Sequence, residues 1–417
     1  MRVTPTATVL LTLAAFASPV TAQTVAITNA QIHTMAGPTI ERGTIVFRDG
    51  RIMEVGASVT PPQGARIIDG NGKVVTPGLI DSHTTMGLVE IGLSAGPTAE
   101  STSSPRLTAA YDVVDAIDPA TTLIPINRIE GITRAVVAPQ PGSSIIAGRG
   151  AVIGLAGERV TDMLSRSPNA MYVTLGESGA RFAGGSREAA VLLLREALTD
   201  ARDFAANRAA WQENRRRDYA LGRLDLEALA PVVQGELALA VNVHRASDIL
   251  AVLRLGEDFP ELRLILTGAT EAWKVASDLV AAEVPVVIDP LQNIPGMENS
   301  GVTLEHAARL HDAGVTVVFA TFDAHNSRNL KQRAGNAVAY GMPHEAALRA
   351  VTSVPATIWG IADRYGTLEA GKDADVVVWS GDPFELNTAA EHVFISGREM
   401  PEMTRQKMLL EKYRTLR

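Results

Sequence analysis

A chain of 417 residues, 46% hydrophobic and 20% charged with mean hydropathy +0.10, is neither disordered nor collagen-like. It is long enough to bury one large core or two to three smaller ones. Its 46 acidic and 38 basic residues leave a net charge of −8, and only 5% of residues are aromatic, so neither the basic footprint nor the stacking platform of a nucleic-acid binder is present. The absence of cysteine excludes disulfides, thiolate catalysis and cysteine-ligated zinc.

Arg2 precedes a mostly apolar stretch, Ala7 to Ser18, and Val20-Thr21-Ala22 places small residues ahead of Gln23. A charged start, an apolar centre and a small-residue cut predict a secretory signal over 1–22 and a periplasmic or secreted protein. The stretch is shorter than the roughly 20 residues of a membrane span. No later segment predicts a span, and no cysteine stands at the cut to carry a lipid. The plain alternative is a buried or frayed N-terminal helix.

Short strands follow: Thr24 to Ile27, Thr44 to Phe47 and Arg51 to Val55, with Asp49-Gly50 as a hairpin signal and Asn71-Gly72 turning into Lys73-Val74-Val75. A similar group closes the chain: Val376 to Trp379 and His392 to Ile395. Between them apolar runs alternate with helical segments. The runs are Arg134 to Ala138, Ala170 to Leu175, Leu237 to Val243, Leu262 to Leu266, Val284 to Ile288 and Val315 to Ala320. The helical segments include Arg187 to Ala206, Leu224 to Gln234, Ser247 to Leu255, Ala272 to Ala282 and Leu304 to Ala313. Buried strands alternating with amphipathic helices predict an α/β fold with a helix-covered parallel sheet, and the number of units suits a closed, TIM-like (β/α)8 barrel. The competitor, an open doubly wound sheet, usually shows a glycine-rich phosphate turn after its first strand, and none is here. The charged run Gln212 to Asp218 reads as a solvated helix face.

In such a barrel the chemistry sits where strands end. The strand through Val74-Val75 bends at Pro77-Gly78 and delivers His83; later runs deliver His244, Asp289, Asp323 and His325. Histidines and a carboxylate converging from several strand ends have the composition of a zinc-type site. Each has a plain reading beside it: His83 as a rim hydrogen-bonder, His244 as part of a helix-start network with Arg245 and Asp248, and Asp323 as a cap. Asp289, before Pro290, reads as a turn former. Gly142-Ser143-Ser144 and Gly148-Arg149-Gly150 lack Walker spacing and read as a glycine-rich substrate-side loop. Arg328 and Asn329 suit orientation of a substrate carboxylate, with His325 beside them, or a structural loop.

Pro77-Gly78-Leu79-Ile80-Asp81-Ser82-His83 resembles the amidohydrolase signature, as do the opening Ala26 to Ala30 and Gly43 to Gly50 blocks and the closing Gly366 to Asp375 block. The resemblance spans nearly the whole chain after the signal and is closest to the imidazolonepropionase-like branch. It implies a metal-dependent barrel (79–359) and one small β-sandwich built from 23–78 and 360–398, followed by a tail (399–417). It also implies hydrolysis of amide, lactam or dipeptide bonds with one or two divalent metals. The substrate is then a small molecule or short peptide, with no nucleic-acid partner and a homo-oligomer left open.

The transfer is incomplete. Where members carry a second histidine after the first barrel strand this chain has Thr85, and where a histidine precedes glycine at the sixth strand it has Thr267. His244 matches the fifth-strand histidine and Asp323 the eighth-strand aspartate, while no lysine stands at a strand end for a carbamylated bridge. The resemblance therefore implies a degenerate site of His83, His244 and Asp323 with one zinc or none, and Asp323 as the proton-handling catalytic residue. The alternative is a non-catalytic binding or scaffold protein. As a strand-end residue, His83 is expected to tolerate replacement by alanine with a modest change in stability.

Overall fold

A computed structural model describes residues 24–90, 99–213 and 215–414, so the expected signal over 1–22 lies outside the described residues. The chain opens with β1 (Val25–Ile32), β2 (Ile40–Arg48), β3 (Arg51–Gly56), β4 (Arg66–Asp69) and β5 (Val74–Pro77). The middle contributes β6 (Leu79–Thr84), β7 (Ile132–Val137), β8 (Ile146–Arg149), β9 (Ala151–Gly154), β10 (Leu164–Arg166), β11 (Ala170–Thr174), β12 (Ala238–Val243), β13 (Leu264–Gly268), β14 (Val286–Ile288) and β15 (Val317–Phe319). β16 (Val376–Trp379), β17 (Ala390–Ile395) and β18 (Arg398–Glu399) close it.

The β2–β3 hairpin turns where the sequence predicts. Asp49 and Gly50 have φ of 54° and 80°, the left-handed backbone that a two-residue primed turn requires. Strands from the two ends of the chain then share one sheet, in the order β18-β17-β16-β5-β1-β2-β3 with β4 also on β1. β16 runs antiparallel between β5 and β17, pairing Val377 with both Thr76 and Val393. Ile27, Ile45, Phe47, Val75, Val376 and Phe394 form one apolar cluster on this sheet. The Phe47 and Phe394 rings meet edge-on with centroids 4.9 Å apart. Part of the expected tail belongs here too, since Glu399 pairs with Phe394, whereas the helix Arg405–Arg414 buries no residue.

The middle is a mixed α/β layer. β6 and β7 pair in parallel, as do β11 through β15 in chain order, and helices such as Arg187–Gln212, Arg223–Val233 and Ala246–Asp258 connect them. Successive strand residues face opposite ways. Ile80, Val136, Tyr172, Ala240, Ile265, Val287 and Val318 join one cluster with Trp359 and Tyr365. Leu79, Ala135, Val173, Val241, Leu266, Val286 and Val317 join another with helix residues Leu194, Leu226, Ile249 and Leu310. Burial on both faces is why these strands read as unbroken apolar runs.

The hydrogen-bonded ladder is divided. Among the described residues one sheet runs β10-β9-β7-β6 and the other β15-β14-β13-β12-β11-β8, with no single closed eight-stranded ladder. One continuous segment serves both: β8 lies antiparallel on β11, and after Gly150 β9 lies antiparallel on β7. A Cβ at Gly150 would stand 2.5 Å from both Tyr172 Cε2 and the Val137 carbonyl, so the crossing requires glycine. The Gly148-Arg149-Gly150 stretch, expected to be a substrate-side loop, is thus a strand pair, with Arg149 bound to Asp112 at 3.1 Å. Its Ala/Gly composition offers no apolar alternation from which to read strands. The run Gln212 to Asp218 is also corrected: the helix ends at Gln212, and Arg216 and Arg217 fold back onto Asp203 and Asp200 of that helix. No described helix is long and apolar enough to cross a membrane.

Candidate functional site

The second seam between the two sheets joins the end of β6 to the loop after β15. The Phe322 amide donates to the His83 carbonyl at 3.0 Å, and Thr84 Oγ1 donates to the Asp323 carbonyl at 2.6 Å. Beneath them Asp81, fully buried, accepts from the Thr321 amide at 3.0 Å and lies 2.5 Å from Thr321 Oγ1. Desolvation outweighs these hydrogen bonds and pushes the Asp81 carboxyl up to about 6. The fold therefore favours the protonated acid. This contribution to stability is complete below the ordinary carboxylate value of 3.8 and is lost as pH rises through about 6. Asp81→Asn is expected to gain on the wild type by roughly 2–3 kcal/mol between pH 4 and pH 7, read as the difference between their urea unfolding free energies. A difference that stays flat with pH would show that Asp81 is not a buried titrating group.

His83, two residues further along β6, is also buried, with only 6% of its surface exposed. Its ring lies 4.6 Å from that of Phe322 and 5.8 Å from that of Tyr172, which in turn stacks on Trp359 at 6.5 Å. The expectation that replacing His83 would change stability only modestly is thereby corrected, because the imidazole is packed in a column with Phe322, Tyr172 and Trp359. Burial lowers its pKa to about 4, so the ring is neutral at pH 7, and Nδ1 is buried with no hydrogen-bond partner among the described residues. Phe322 has φ of 54°, a left-handed conformation that is costly for an aromatic residue.

His244 follows β12 on the other sheet. Its Nδ1 is 3.4 Å from Thr270 Oγ1, and it packs so closely on Gly268 that a Cβ there would lie 2.6 Å from Cε1. Desolvation holds its pKa below the usual imidazole value against the opposing charge of Glu298. Arg245 pairs with Glu177 at 3.1 Å and Asp248 with Arg187 at 2.9 Å, so the helix-start network forms around His244 without an ion pair to it. Thr267, at the end of β13, is buried and lies 3.4 Å from Asn242 Nδ2.

Asp323 caps the turn Asn326–Asn329. One carboxylate oxygen accepts from the Asn326 amide at 2.8 Å and the other from Asn326 Nδ2 at 3.1 Å. His325 is exposed, while Arg328 and Asn329 are half-buried in that turn. Asp289 is the turn former expected, accepting from the Leu291 amide at 2.9 Å and pairing with Arg333. Asn127 carries a role that the sequence did not signal. Fully buried, it donates to the Ala324 carbonyl at 2.9 Å and accepts from the Arg328 amide at 2.6 Å, pinning the whole loop. Partners so distant in the chain leave no local pattern. Tyr172 and Phe322, which enclose His83, were likewise unmarked.

A metal centre needs three or more donors around one point. Among the described residues no three His, Asp or Glu side chains converge closely enough to hold a cation. With Phe322 packed on the His83 ring and both Asp323 oxygens on Asn326, the donors present do not fit such a centre, and no step is derived through one.

Residues 274–401 match the model of the Amidohydrolase family. A solved amidohydrolase from Thermotoga maritima MSB8 shares the fold over 91% of this chain and 100% of its own length, with a TM-score of 0.82 and 27% identity. The chain belongs to the amidohydrolase superfamily. Within that superfamily it is 26% identical to an imidazolonepropionase of Mesorhizobium japonicum over 410 residues, 88% of this chain and 94% of that protein. It is 24% identical to amidohydrolase tasK of Hapsidospora irregularis over 389 residues, 86% of this chain, but spans only 39% of that protein's length.

Proposed function

We propose that this amidohydrolase-superfamily chain is an exported hydrolase of carbon–nitrogen bonds, acting on an amide, lactam or dipeptide bond in a small molecule or short peptide. The observation that supports this most is likeness over nearly the whole chain to an imidazolonepropionase and to a solved amidohydrolase. On this reading the two inner sheets are arcs of a TIM-like (β/α)8 barrel over 79–359, and 23–78 with 360–398 form one β-sandwich. The signal over 1–22 is removed on export. Asp323, turned away from Asn326, takes a proton from water and returns it to the leaving nitrogen. His83 offers an uncharged imidazole to the reacting group, and His325, Arg328 and Asn329 orient the substrate from the following turn.

A second reading, a non-catalytic binding or scaffold protein, is favoured by the lack of three converging ligands among the described residues. Metal analysis of protein purified without chelator, combined with amide and dipeptide hydrolysis, separates the two. Turnover that is lost in His83→Ala is the hydrolase's result, and about one equivalent of zinc bound with it would show that His83, His244 and Asp323 rearrange from their packed positions to hold a metal. Folded, metal-free, inactive protein is the binder's result. Metal that returns only in Thr85→His with Thr267→His also assigns the natural chain to the binder. His83→Ala is expected to cost about 2–4 kcal/mol in urea unfolding, so His83→Gln, which keeps more of the volume, accompanies it.

A further inference from the structure

A groove of about 750 Å³ opens beside β7 and β9, against the turn from β17 to β18. It is remote from the strand ends described above: Arg134 on its wall pairs in register with Ile80, near the start of β6, whereas His83 lies near its end. Arginines dominate the wall. Arg134 is held by Asp375 at 2.7 Å and lies 3.6 Å over the Tyr365 ring, Arg364 is held by Asp373 at 2.6 Å, and Arg159 by Asp162 at 3.0 Å.

Arg398 differs from these three. Exposed at the groove edge, it makes no side-chain hydrogen bond or ion pair among the described residues. Arg128, half-buried, has its pKa lowered by desolvation and then by the Arg398 charge; its Nη1 donates to the Leu155 carbonyl at 3.0 Å, while its Nε is buried with no partner among the described residues. Neither guanidinium is paired with a carboxylate among the described residues. Tyr365 is 4% exposed, and its hydroxyl makes no hydrogen bond among the described residues. Glu158, also on the wall, opposes this balance and pairs with no cation among the described residues.

We propose that this groove binds a small organic oxyanion, a phosphate monoester or a polycarboxylate, with Arg398 pairing its charge and the Tyr365 hydroxyl donating to it. Guanidinium groups present forked donors to carboxylate and phosphate oxygens. The volume admits a molecule larger than a bare ion.

Citrate and inorganic phosphate, titrated into the full chain by calorimetry at low ionic strength, are the probes. Citrate is expected to bind, more tightly than phosphate. Arg398→Glu should weaken citrate by about tenfold or more, the scale of a lost charge-assisted hydrogen bond. Tyr365→Phe, which keeps the ring beneath Arg134, should weaken it about three- to tenfold. Glu158→Gln should tighten it, and Arg106→Glu, exposed and outside the groove's lining, should leave it unchanged. Absence of citrate binding overturns the proposal. So does binding that Arg398→Glu and Tyr365→Phe leave intact while both remain folded by circular dichroism.

Discussion

Asp375→Ala is expected to destabilise the protein by about 3–5 kcal/mol, because it strands a buried cation. The Asp375 and Arg134 side chains are each 5% exposed, and Asp375 takes both Nε at 2.7 Å and Nη2 at 3.2 Å. The same carboxylate accepts from the Ser396 amide at 2.8 Å, so one group ties β7 to β16 and to the turn after β17. Removing the pair differs from breaking it. Arg134→Met with Asp375→Leu should recover most of the loss, since apolar residues of similar volume replace a buried ion pair at little cost. Urea denaturation of the single and double variants checks both statements. A single-variant loss below about 1 kcal/mol would mean that water reaches the pair.

A fragment ending before Gly366 is expected not to fold its opening strands. It lacks β16, which hydrogen-bonds β5 on one side and β17 on the other. It also lacks Leu368, Ala374, Val376, Val378 and Phe394 from the cluster that Ile27, Ile45 and Phe47 share. At about 1.5–3 kcal/mol for each large apolar side chain, the missing contacts approach the whole net stability of a domain, about 5–15 kcal/mol. Circular dichroism with urea unfolding should therefore show no cooperative transition for the strands before Pro77. A fragment in which they melt cooperatively would show that the N-terminal strands are a unit by themselves.

Local patterns carried the parts of this protein whose cause is local. The Asp49-Gly50 hairpin was legible because its backbone needs φ > 0 at two adjacent residues, which few residue types allow. The parallel strands Ala238–Val243 and Leu264–Gly268 were legible because burial on both faces leaves an unbroken apolar run. The Pro77 to His83 and Gly366 to Asp375 blocks pointed to the superfamily. Other features depend on distant partners. The Ile146–Gly154 segment forms strands because Val173 and Val136 wait on two different sheets, and Gly150 lets it cross between them. At the strand ends, sequence named His83, His244 and Asp323 as one set. Tertiary packing put His83 between Phe322 and Tyr172, His244 against Gly268, and Asp323 on Asn326. Composition and spacing determined which elements form and which polar residues stand at their ends. Which of those residues face each other was decided only by how the two sheets pack, since a side chain's neighbours in a core come from every part of the chain.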